Sequence, residues 1–156
     1  MSQSKFDDSN IPWRKLEGFD GVAFFIYKVD SKNQIVDVIY KFAPNTKQPL
    51  HRHKCPYFTL VLQGELRFYR PNGELKEIRP IGSYVTGVVN GEPHFEGAGD
   101  EEAIVFFGHH HVEDAMYEFV DADGQPEQVL GLTDFKGLFD AQLADGVMAK
   151  VAARAA

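Results

Sequence analysis

Short runs of β-branched and aromatic residues, each closed by a turn signal before it reaches helical length, dominate the chain up to Val120. GVAFFIYKV at 21–29 and QIVDVIYKF at 34–42 are joined by Asp30-Ser31-Lys32-Asn33, a composition suited to a hairpin turn. Tyr57 to Leu62 and Glu65 to Arg70 flank Gln63-Gly64. Pro71-Asn72-Gly73 then precedes a polar–apolar alternation over Glu74 to Ile78, as in an antiparallel strand. Further strands are expected at Ser83 to Val88, His94 to Gly97, Ala103 to Phe107 and Met116 to Val120, with a tight turn at Asp121-Ala122-Asp123-Gly124. Many short strands at this spacing predict an all-β sandwich or barrel. A barrel of this size encloses about one small ligand. Residues 1 to about 10 read as a loose tail, and Ile11-Pro12-Trp13 as an anchoring segment. Helical spacing occurs only at the end, where Phe135, Leu138, Phe139 and Leu143 recur after Thr133. Gly146 interrupts this pattern before Val147 to Ala155, and the helical segment, about 132–155, is expected on the outside.

Composition narrows the partners. A length of 156 residues with 44 % hydrophobic content suits one domain, 1–156, with a real core, and 13 % aromatics favour an interior with an apolar pocket. A formal charge of −7 argues against nucleic acid or an anionic membrane as the main partner. No stretch approaches the roughly 18 apolar residues of a membrane-spanning helix, and Met1 to Asn10 lacks the apolar core of a secretion signal. The single cysteine, Cys55, leaves no partner for an intrachain disulfide. These features together predict a cytoplasmic protein.

Chemistry concentrates in His51-Arg52-His53. In a strand, residues two apart share a face, so the imidazoles of His51 and His53 project side by side while Arg52 points away. Taken alone, the tripeptide is equally a polar surface strand. With a third imidazole from another strand, such as His94, it can form an open nitrogen site for a divalent metal. His109-His110-His111, between Gly108 and Val112-Glu113-Asp114, reads as a solvated loop, with a relay role or a fourth ligand as alternatives. Cys55, followed by Pro56, reads as a buried cysteine at a bend. Arg52, Lys54 and Arg67 either attract an anionic substrate or are ordinary surface charge. There is no phosphate-binding loop and no dinucleotide glycine fingerprint, because Gly64, Gly73 and Gly82 are separate turn glycines.

His51-Arg52-His53, a gap of three residues to Tyr57 and six more to Gly64 resembles the first motif of the cupins. Val89-Asn90-Gly91-Glu92-Pro93-His94 matches the spacing of their second motif, with Val89 in the place of a proline. The resemblance covers roughly residues 20–121. It implies a cupin-type jelly-roll β-barrel with a short C-terminal helix, metal ligands His51, His53 and His94, and a homodimer. One departure matters: Tyr57 stands where the motif has a glutamate, and a shift by one residue brings in only Phe58. The implied site is therefore three histidines without a carboxylate. It is similar to the group containing acetylacetone dioxygenase and 2,4'-dihydroxyacetophenone dioxygenase, which bind non-haem iron through three histidines.

That likeness implies Fe(II), with zinc, nickel, manganese or cobalt as alternatives. The implied reaction is dioxygen-dependent carbon–carbon cleavage of a small diketone-like or hydroxyketone-like substrate. Tyr57 would then be a hydrogen-bond donor in the pocket or simply part of its lining. Two other readings stay open: a non-catalytic zinc-binding sensor or regulatory module, and a cupin isomerase or epimerase.

Overall fold

The computed structural model describes residues 5–146. In chain order its strands are β1 (Arg14–Lys15), β2 (Val22–Asp30), β3 (Ile35–Phe42), β4 (Lys47–His53), β5 (Tyr57–Gln63), β6 (Leu66–Tyr69), β7 (Leu75–Arg79), β8 (Tyr84–Thr86), β9 (His94–Ala98), β10 (Ala103–His109), β11 (Ala115–Val120) and β12 (Pro126–Gly131). The helix α1 (Leu132–Ala144) follows directly. The strands form two six-stranded sheets, ordered β1-β2-β3-β10-β5-β8 and β12-β11-β4-β9-β6-β7. From β3 onward the chain crosses repeatedly between the sheets, which makes the architecture a jelly roll. The expected barrel is not closed: the sheets remain separate and pack face to face as a sandwich.

Between the sheets lies one aromatic-rich core, containing Phe24, Ile26, Val38, Phe42 and Phe107 from the first sheet and Leu66, Phe68, Met116 and Tyr117 from the second. The outer face of the first sheet is covered as well. Phe25, Ile39 and Ile104 pack there with Ile11, beneath Phe6 and Trp13. This explains why Val22–Ile26 is a continuous apolar run rather than an alternating one. Ile11-Pro12-Trp13 is thus an anchor, with the Trp13 indole donating to Asp8 at 2.8 Å.

Two departures from the sequence expectation have simple causes. β12 was not anticipated, because its residues are mostly exposed and its only signal is polar. As a sheet-edge strand it tolerates Pro126. In α1, Phe135 is buried as expected, but Leu143 is 49 % exposed and Gln142 takes the inward place at 1 %. The reason lies in β2, which pairs with β1 only at Ala23 and Phe24. Gln142 supplies the hydrogen bonds that β1 is too short to make. Its Nε2 donates to the Ile26 carbonyl and its Oε1 accepts from the Ile26 amide, both at 3.0 Å. The expected continuation of the helix over 147–155 lies outside the described residues.

Gln142→Ala leaves both backbone groups of Ile26 buried without partners, and each such group costs about 1–3 kcal/mol. Urea unfolding should show a loss of roughly 3 kcal/mol, while Leu143→Ala should change stability by no more than about 0.5 kcal/mol. Equal effects of the two substitutions would show that Gln142 does not hold the helix.

Candidate metal centre

The centre of the second sheet brings the sequence-selected histidines together. β4 and β9 are antiparallel, with His51 directly opposite His94 and Gln48 opposite Glu96. The register shifts between these two pairs. That bulge around Pro49-Leu50 is what lets Gln48 and His51, three residues apart, both face inward. It also turns the Pro49 carbonyl to the His51 ring, whose Nδ1 lies 2.7 Å from it. A carbonyl can only accept, so His51 carries its proton on Nδ1 and its Nε2 faces the centre. His53 continues the same face and sits opposite Tyr117 of β11.

One donor atom each from His51, His53, His94 and Glu96 lies within 4.8 Å of the others, and all four residues are buried. His51 Nε2 is 3.2 Å from Glu96 Oε1, and His94 Nε2 is 3.8 Å from Glu96 Oε2. His51 Nε2, both ring nitrogens of His53, His94 Nε2 and Glu96 Oε2 are buried without an aligned hydrogen-bond partner. Native interiors leave few such atoms unsatisfied. Several converging at one point match what a single metal ion would satisfy, and the nitrogen-rich set suits a first-row divalent cation.

Glu96 was missed by the sequence reading, which expected imidazoles alone. The motif position holding Tyr57 indeed offers no carboxylate; the carboxylate arrives instead from β9. The signal was present in His94-Phe95-Glu96, where strand alternation places residues 94 and 96 on one face.

Tyr57, expected to point inward, does so. It is 2 % exposed and stacks on His53, with ring centroids 3.7 Å apart and planes inclined by 17°. The close approach of Gly87 makes room for it: a Cβ at that position would collide with the Tyr57 ring. The histidine triplet divides. His110 and His111 contact each other near the surface, but His109 is not in a loop. It ends β10, is buried, and bridges the Val36 carbonyl at 3.0 Å and the Tyr117 hydroxyl at 2.9 Å. It is not one of the four clustered donors. Cys55 is also outside them; it is buried, and burial pushes its thiol up to about 12.

Burial governs the ionisation of the cluster. It holds His53 well below the ordinary imidazole range, helped by the neighbouring His51 and His94, and brings His94 down to about 3 and His109 to about 4. Burial also works against charge on His51, but the Glu96 carboxylate and Pro49 carbonyl together raise its pKa. Burial likewise opposes charge on Glu96, yet the facing His51 leaves its pKa lowered.

Two pockets reach the cluster through different members. His51 and Glu96 face an apolar pocket bounded by Phe24, Phe42, Phe119 and Leu138, of roughly 580 Å³ including its open mouth. His53, His94 and Tyr57 line a polar pocket with Lys76, Arg79 and Glu92. Arg79 is fixed there by hydrogen bonds to Glu77 and Thr59 and lies over the Phe68 ring at 4.2 Å. Arg52, near this rim, approaches Glu118 at 3.4 Å.

No family model matches the chain, and no curated protein sequence matches it. Solved structures do. An RmlC-like cupin protein from Ralstonia eutropha superposes with a TM-score of 0.71 at 15 % identity, covering 97 % of this chain and 94 % of the other. The chain has the cupin fold. An acetylacetone dioxygenase from Acinetobacter johnsonii gives a TM-score of 0.65 at 16 % identity, covering 90 % and 92 % of the two chains. A polyketide cyclase from Streptomyces resistomycificus gives 0.55 at 17 % identity, covering 70 % and 80 %. Proteins of different activities thus share this fold, and the fold alone does not select a reaction. Among the described residues, no helix is long and apolar enough to cross a membrane.

Two outcomes follow from this geometry. Alanine in place of His51, His53 or His94 should each abolish co-purified metal measured by mass spectrometry, with far-ultraviolet circular dichroism unchanged. Glu96→Gln should weaken metal affinity by about 10–100-fold. Retention of metal in the His94→Ala variant would break the pairing of the two motifs.

The second outcome concerns the metal-free protein. The folded state keeps His94 and His109 neutral, while the unfolded chain protonates them below about 6.5. The unfolded state then binds more protons, so stability falls as pH drops from 6.5, by about 2 kcal/mol per histidine at pH 5. His51, its pKa raised, gains its stabilising proton as pH falls towards 6.5 and changes little below it, so it does not reverse this loss. Denaturant midpoints should therefore be lower at pH 5 than at pH 7. A flat profile would contradict neutral burial of His94 and His109.

Proposed function

We propose that His51, His53 and His94 hold one divalent metal ion, iron(II) in the working protein. On this reading the protein is a dioxygenase that cleaves a carbon–carbon bond in a small diketone-like or hydroxyketone-like substrate. The observation that carries the reading is the convergence of buried, unpartnered imidazole nitrogens beside an apolar pocket. The likeness to an acetylacetone dioxygenase favours iron and this reaction class over the other chemistries of the fold.

Iron(II), when bound, supplies the Lewis acidity and electrons that dioxygen addition to an activated ketone requires. The protein's part is positioning and exclusion of water. The Pro49 carbonyl fixes the His51 tautomer, and Tyr57 fixes the plane of His53 by stacking on it. Glu96 would add one negative charge against the metal's two, leaving the remainder to the oxygens of the substrate. The aromatic walls of the apolar pocket accept the rest of that substrate and keep bulk water from it. Both oxygen atoms of dioxygen enter the products, so no external reductant is needed.

The Glu96 carboxylate also favours a second reading. Three histidines and one carboxylate can close around zinc in a non-catalytic site, as structural zinc sites do. Anaerobic loading with iron(II), followed by oxygen-electrode measurements on β-diketones and α-hydroxyketones, separates the two. Oxygen uptake should accompany substrate cleavage and vanish in the His51→Ala, His53→Ala double variant. Iron-loaded protein that consumes no more oxygen than the double variant would sink the dioxygenase reading for those substrates. Zinc retained through chelator dialysis would then favour the closed site.

A further inference from the structure

The apolar pocket has few polar side chains, and their hydrogen-bond polarity follows from their partners. A line of hydrogen bonds begins at His109, whose Nδ1 contacts the Val36 carbonyl. That carbonyl can only accept, so the His109 proton lies on Nδ1. The ring is buried with no carboxylate hydrogen-bonded to it, which keeps it neutral, and burial lowers its pKa to about 4. Nε2 is therefore a lone pair, and the Tyr117 hydroxyl donates to it across 2.9 Å. Tyr117 has no second proton, so its 3.1 Å contact with Tyr40 runs from the Tyr40 hydroxyl to the Tyr117 oxygen. Tyr40 lines the pocket with its own proton already committed, and offers lone pairs only.

Gln48 has the same polarity. Its Nε2 is directed to the Asp20 carbonyl at 3.0 Å, while its Oε1 is buried and has no partner. The residue is 6 % exposed and lines the same pocket. The pocket thus presents acceptors to whatever fills it. A ligand carrying only carbonyl or ether oxygens would set lone pair against lone pair and leave Gln48 Oε1 unsatisfied, which burial makes costly.

We propose that Gln48 and Tyr40 are specificity-determining acceptors that select an otherwise apolar substrate bearing a hydroxyl donor, favouring hydroxyketones over diketonates. This rests on the reading of that pocket as the substrate side of the metal site. Tyr117 and His109 act as positioning residues, because they commit the Tyr40 proton inward and so set the sign of the selection.

The test is isothermal titration calorimetry of the as-purified full-length protein under nitrogen, with 2-hydroxyacetophenone and its methyl ether, 2-methoxyacetophenone, as the matched probes. Wild type should bind the hydroxyl compound about tenfold or more tightly than the ether. Tyr40→Phe and Gln48→Leu should each lower that ratio, and the double variant should bring it to within twofold. His109→Leu should also lower it, since Tyr117 is then free to donate to Tyr40, whose proton turns to the pocket. Circular dichroism identifies the folded variants, and Tyr40→Phe, which keeps the ring, decides the matter should Gln48→Leu not fold.

A wild-type ratio within twofold, binding of neither compound, or a ratio unchanged in Tyr40→Phe would overturn the proposal. Anaerobic binding is read separately from oxygen uptake. Protein that consumes oxygen but binds both probes equally keeps the dioxygenase reading and loses this one.

Discussion

The register of β4 against β9 holds the centre of this molecule together, because a strand shifted by one residue presents its opposite face. His51 opposite His94, and Gln48 opposite Glu96, place four polar side chains on the inner face of the sheet, with His53 beside them. The two pairs coexist only through the bulge at Pro49-Leu50, which absorbs the extra residue on β4. Proline suits that position, since it has no amide proton to leave unpaired and its carbonyl is free for His51. The far end of β4 is fixed as well. The Asn90 amide donates to the His53 carbonyl at 2.9 Å, and the Lys54 amide to Met116 at 2.8 Å. Backbone bonds therefore set the imidazole positions before any side chain is considered.

Burial makes those imidazoles both useful and demanding. In the interior, charge on His53 and His94 is strongly disfavoured, so both present neutral nitrogens, the form a metal needs. Their unpartnered nitrogens are also a cost that the surrounding protein does not relieve. Glu96 and His51 are the exceptions to neutrality, because each favours charge on the other across 3.2 Å. One cation at this point would satisfy the nitrogens and the carboxylate together. Folding and ion binding are therefore expected to be strongly linked.

Much of this was legible in the sequence, and the failures share a cause. Apolar strands such as Tyr57 to Leu62, and turns such as Pro71-Asn72-Gly73, announce themselves locally. So did the shared face of His51 and His53. What stayed hidden depended on partners distant in sequence. β12 is recognisable only from its neighbour β11, since its own residues are polar and exposed. Gln142 looks like a surface residue until the short reach of β1 exposes the Ile26 backbone it must satisfy. His109 reads as a loop histidine beside His110 and His111, and only β3 and β11 show it to be buried. Glu96 shares the face of His94 by strand alternation, but the motif position that carries a carboxylate lies on another strand, at Tyr57.

The two pockets give the cluster two chemically unlike approaches. On the His53 and His94 side, Arg79 and Lys76 with Glu77 and Glu92 make a charged, solvated approach. Such a pocket suits small polar species and gives little binding energy to an apolar molecule. On the His51 and Glu96 side, aromatic and aliphatic walls give binding energy by burial, and orientation must come from the few polar atoms present. Those atoms are acceptors because a carbonyl, a neutral imidazole and two tyrosines pass one hydrogen-bond direction along a line from Val36 to Tyr40. Selectivity at the apolar face is therefore set more than one residue away from it, by a backbone carbonyl that cannot donate.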